Sequence, residues 1–107
     1  MSDGKEQVNH PSHYTETSIE CIDAMRMTFG TERVVMWCIM TAYKYLWRRN
    51  LKDKIKEDID KAGWYLDYAE DIIASNVIVE LEDDILDSFA EVKNYYVKVF
   101  NEEYPNE

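Results

Sequence analysis

The sequence predicts an all-α fold: a compact bundle of about four helices preceded by an ordered N-terminal arm. Three observations carry that prediction. The chain holds only 3 Gly and 2 Pro, and both prolines, Pro11 and Pro105, lie near its ends, so long segments run without a breaker. Apolar residues recur every three or four positions, the helical spacing. Hydrophobic residues make up 46% of the 107 residues and aromatics 13%, which suits one buried core in a single domain. A helical domain this small often completes its core against a copy of itself, so a homo-oligomer is expected.

Residues 1–7 are polar and expected to be disordered, leaving one helical domain over residues 8–107. Pro11 biases His10 towards extended backbone, so Val8 to Tyr14 is read as an ordered turn. Ser18 suits the N-cap of a first helix over Ile19 to Thr28, with Ile22 and Met25 on its apolar face, and Gly30 ends it. Thr31 is expected to cap a second helix over Glu32 to Arg49. Its apolar stripe is Val35, Ile39, Ala42 and Leu46, widened by Trp37 and Cys38, so this helix is expected at the centre. Asn50 is expected to close it in a left-handed conformation.

A third helix is expected over Asp53 to Ala74, where Ile55, Ile59, Ala62, Leu66, Ala69 and Ile73 alternate steps of four and three. Gly63 inside it costs about 1 kcal/mol relative to alanine, which points to close approach of another backbone or a ligand. Val77 to Val79 could form a strand fragment, for which no partner strand is evident. A fourth helix is expected over Leu81 to Asn101, with acidic residues at its start complementing the dipole and Ile85, Phe89, Val92, Tyr96 and Val99 as its stripe.

The net charge is −10. Phosphate repulsion then disfavours duplex nucleic acid as a partner. The charge is uneven, however. From Thr41 to Lys61 seven basic residues face four acidic ones, a local balance of +3 against −13 for the remainder. A basic island of that size suits a small anion. Cys21 and Cys38 form no CxxC pair and read as reduced core cysteines of a protein in the cytoplasm. The longest apolar run, Val34 to Met40, is too short to cross a membrane.

Candidate chemistry gathers between Tyr43 and Tyr65. Lys44 and Arg48 stand four residues apart on the second helix, and Lys61 and Tyr65 four apart on the third. A helical hairpin would bring these pairs together near its turn, with Trp47, Trp64 or Tyr65 offering flat surfaces for stacking. A phosphate-bearing aromatic molecule is the ligand this suits. The competing reading is a solvated charged face over core aromatics. His10 and His13 could ligate a metal together with a cysteine, or pin the arm onto the helices. Better than either, they could fold over the basic island and donate hydrogen bonds to a bound anion, with Tyr14 beside them. Asp67 and Asp71 stand four apart on the third helix, an arrangement that could hold magnesium if the protein is an enzyme. The second helix, however, offers no carboxylate after Glu32, and no glycine-rich phosphate loop exists.

Three stretches together, Val8-Asn9-His10-Pro11-Ser12-His13-Tyr14, Ala42-Tyr43-Lys44-Tyr45-Leu46-Trp47-Arg48 and Glu57 to Leu66, resemble a family of small bacteriophage proteins. That family has no established function and is often labelled "phage nucleotide kinase". The likeness runs from about Val8 to Ile73, departing at the Arg49-Asn50 turn and in the acidic helix after Asn76. It implies a phage origin and a place in the host cytoplasm, and it puts the family's motif residues on the arm, Lys44, Arg48 and Lys61. The expected function is binding of a small nucleotide without catalysis and with no cofactor. Two alternatives stay open: an acidic protein-binding inhibitor of a host defence or nucleic-acid enzyme, and a magnesium-dependent nucleotide pyrophosphatase.

Overall fold

The computed structural model describes residues 16–51, 54–75 and 81–105, with side chains from residue 21 onward. The expected disordered start, the His10 to Tyr14 arm, the Val77 to Val79 strand fragment and Asp53 lie outside the described residues. Among the described residues four helices follow in order: α1 (Glu16–Phe29), α2 (Thr31–Trp47), α3 (Ile55–Ala74) and α4 (Asp83–Glu103). Among the described residues there is no strand, and no helix is long and apolar enough to cross a membrane.

The α2 stripe explains why this helix is central. Val35, Ile39, Ala42 and Leu46 are all buried, and Val34 and Cys38 beside them widen the buried face. The other three helices all pack on it. Each fully buried aliphatic side chain of this size contributes about 1.5–3 kcal/mol by leaving water. On α3 the stepped stripe is also buried from Ile59 to Ala69, but its last member is Ile72 and Ile73 is only half-buried.

Directions follow from the side-chain pairs. Trp37 meets Tyr65 and Tyr45 meets Lys61, so α2 and α3 form an antiparallel hairpin. Glu70 pairs with Lys93, and Lys56 stands over Tyr104, so α4 runs back along α3. Tyr43 meets Tyr95 and Arg49 reaches Glu102, which sets α4 parallel to α2. Arg49 fastens this corner by donating to the Leu46 carbonyl at 2.6 Å and to the Tyr95 hydroxyl at 3.3 Å. Tyr68 donates to Asp23 at 3.1 Å and ties α3 to α1.

Several local expectations are corrected. Helix α1 begins at Glu16, so Ser18 lies inside it and is not its cap. Thr31 is the first residue of α2, and Gly30, at φ 99°, takes the capping position. The Thr31 hydroxyl instead accepts from Arg26 Nε at 3.4 Å, joining the two helices across their corner. Asn50 is not left-handed, since no described residue other than glycine has positive φ. After Trp47 the chain closes through tight turns, with Arg49 N–H on the Leu46 carbonyl and Leu51 N–H on that of Arg48. Helix α3 starts at Ile55, and α4 runs two residues later than expected at both ends.

Cys38 is buried, and burial pushes its thiol up to about 12. Cys21 is exposed, so it is not the core cysteine its apolar neighbours suggested. Gly63 is explained by neither a backbone nor a ligand. A Cβ there would lie 2.7 Å from the Tyr96 hydroxyl, so the missing side chain makes room for a tyrosine of α4.

Candidate functional site

The hairpin brings Lys44, Arg48 and Lys61 to one place, and the place is the ring of Tyr45. Lys44 Nζ lies 5.1 Å from its centroid, Arg48 Cζ 5.0 Å and Lys61 Nζ 5.2 Å. Helical spacing accounts for this. Lys44 and Arg48 flank Tyr45 on the last turn of α2, and Lys61 comes across from α3. The ring is held by Tyr65, stacked at 6.1 Å and 13°. Tyr65 is in turn gripped edge-on by Trp37 at 5.3 Å and Trp64 at 5.1 Å. Trp64 stacks on Tyr68. The platform under the cations is therefore a packed stack of rings, each pair adding about 0.5–1.5 kcal/mol beyond its buried area.

An exposed cation over a ring gains about 0.5–1 kcal/mol. Three cations around one ring also repel one another, since every pair lies within about 10 Å, near one Debye length at physiological salt. Lys61 is partly neutralised by Glu57 at 3.7 Å, a carboxylate shared with Lys54 at 3.9 Å. Lys44 and Arg48 have no ion pair among the described residues. An anion settling over Tyr45 would relieve that repulsion and meet charge-assisted donors.

Two buried polar side-chain atoms of this hairpin lack a partner. Arg48 Nε is buried without a hydrogen-bond acceptor, and so is Asp58 Oδ2 without a donor. Asp58 is 3% exposed, the one buried charged residue of the described core. Arg48 caps the C-terminus of α2 and Asp58 lies in the first turn of α3, on the two sides of the hairpin's turn. No described ion pair joins them. A buried carboxylate oxygen without a donor is costly, which makes Asp58 Oδ2 a candidate acceptor for a bridging water.

The remaining candidates fall differently. Tyr65 is 7% exposed and packed on several sides, so it is part of the platform's support. Trp64 is half-buried at the rim of the rings. Trp47 is 63% exposed. His10, His13 and Tyr14 lie outside the described residues. Sequence reasoning missed Tyr45 and Asp58. Tyr45 stands next to Lys44 and three residues before Arg48, so helical spacing alone could have found it. Asp58 carries a signal too: it is an acidic residue four before Ala62 and seven before Tyr65, on a face that is otherwise apolar.

The carboxylates of α3 are not gathered as a metal centre would need. Among the described residues there is no group of three or more His, Cys, Asp or Glu placed to hold a metal ion. Asp67 and Asp71 are both exposed. Partial burial raises the Asp67 carboxyl above the usual range, against the pull of Lys93.

No curated protein and no solved structure matches this chain. One family model does, over residues 8–67, more than half of the chain and the whole stretch from the arm through the Tyr45 cluster. The chain belongs to that family, DUF3310, described as a protein of unknown function.

Proposed function

We propose that this protein binds a small phosphate-bearing nucleotide without breaking it. The observation that carries the reading is the set of three cations on Tyr45, two of them without an ion pair among the described residues. Lys44, Arg48 and Lys61 hold the phosphate. The base lies against the rim of the ring cluster, not on the buried Tyr65. Such binding would sequester a nucleotide signal or modulate nucleotide metabolism, in an infected host cell if the chain is a phage protein.

Calorimetric titration with mono-, di- and cyclic nucleotides tests this. At least one is expected to bind, and Lys44→Ala or Arg48→Ala is expected to weaken it about tenfold, the loss of roughly one charge-assisted contact. Chromatography of the mixture should return the nucleotide intact after hours with magnesium present. No heat from any nucleotide removes the proposal. Loss of nucleotide with time, abolished by Asp67→Asn, replaces it with hydrolysis.

A further inference from the structure

Helix α2 has a second working face, opposite the one that carries Tyr45. Met36, Met40, Tyr43 and Trp47 follow one another along it at helical spacing. Met40 is 56% exposed, Tyr43 48% and Trp47 63%. Between this stripe and α4 lies a groove of about 590 Å³, floored on the α4 side by Val92 and Tyr95 and rimmed by Glu91. Contiguous exposed apolar surface of this kind marks a docking site, and methionine side chains adapt to whatever packs on them. From Met36 to Trp47 the stripe spans about 16 Å, or three helical turns.

Charge decides what fits. Glu91 lines the groove, and Asp84 and Asp87 share its face of α4 at i−7 and i−4; all three are exposed, and none is in an ion pair among the described residues. Arg49, at the far end, is already engaged by Glu102 and Tyr95. A second copy of this chain carries −10 and would be repelled by that rim, as would a nucleic acid. We propose that the α2–α4 groove docks a basic amphipathic helix of a partner protein, its apolar stripe on Met36, Met40 and Tyr43 and its lysines or arginines on the α4 carboxylates. The α4 wall lies beyond the segment that matches the family, so this surface is separate from the nucleotide reading and does not rest on it.

The test uses the full chain and a fluorescein-labelled 14-residue leucine–lysine amphipathic helix, with a leucine–glutamate helix as control, read by anisotropy. The lysine peptide is expected to bind and the glutamate peptide not to. Met40→Glu should weaken binding about tenfold or more, Glu91→Lys several-fold, and Asp71→Lys, the same charge change on α3, and Lys44→Ala should each leave it unchanged. Equal weakening by Asp71→Lys and Glu91→Lys, or indifference to Met40→Glu, overturns the proposal. So does sedimentation showing a dimer that Met40→Glu dissociates, because the groove is then covered by a second copy.

Discussion

At position 63 a single methyl group decides how closely α3 and α4 can approach. Alanine there gains about 1 kcal/mol of helix propensity but sets its Cβ 2.7 Å from the Tyr96 hydroxyl and 3.2 Å from the ring carbon bearing it. Overpacking of a fixed ring costs about 1–3 kcal/mol, so Gly63→Ala should be net destabilising in urea unfolding, and Tyr96→Phe should recover part of the loss in the double variant. Tyr96 has a second consequence. Burial first, then the Asp67 and Asp60 carboxylates, raise its hydroxyl above the ordinary 10. A group raised in the folded state favours folding below its unfolded value and loses that contribution as pH rises through the folded one. Stability should therefore fall above about pH 10, and Tyr96→Phe should flatten that fall, leaving the contributions of Tyr68 and Tyr104, which burial raises likewise. Denaturation midpoints measured from pH 8 to 11 check both the sign and the window.

Helix α2 puts opposite demands on neighbouring residues. Leu46 is fully buried and Trp47 is 63% exposed. Leu46→Ala should cost about 2–5 kcal/mol, much of the stability of a domain this size, whereas Trp47→Ala should change it by less than about 0.5 kcal/mol; thermal unfolding followed by circular dichroism separates the two. Element identity was legible in the sequence because the 3.6-residue period survives on every helix: Val35, Ile39, Ala42 and Leu46 were all buried as their spacing predicts. Ends were less legible. Ser18 and Thr31 are good caps by composition, but α1 extends past the first and the corner at Gly30 takes the role of the second. Of the candidate site, Lys44, Arg48 and Lys61 could be read as convergent from two i, i+4 pairs and an assumed hairpin. Tyr45, beside Lys44 and three residues before Arg48, and Asp58, an acidic residue on an apolar face, carried signals in their spacing as well, but what faces each of them from the other helix is visible only in the fold.

For the molecule as a whole, a net −10 on 107 residues means the folded state repels itself, with exposed carboxylates on both α3 and α4 contributing. Adding salt from about 10 to 150 mM should raise the melting temperature by screening that repulsion. The same salt should weaken the proposed nucleotide binding at Tyr45, because it also screens the attraction between the basic cluster and a phosphate. Differential scanning fluorimetry and calorimetry across one salt series would show the opposite slopes. Parallel slopes would mean that binding does not depend on those cations.

The corner at Gly30 carries its own implication for chain length. One residue separates Phe29 from Thr31, in a backbone conformation that strains any side chain, although the space around it is open. The junction has no slack to absorb an inserted residue. One extra amino acid turns α1 by about 100° about its axis, swinging Ile22 out of the interior and Asp23 away from Tyr68. A drift in length at this corner is therefore tolerable only in steps close to whole helical turns, so its phase is fixed as firmly as any core side chain.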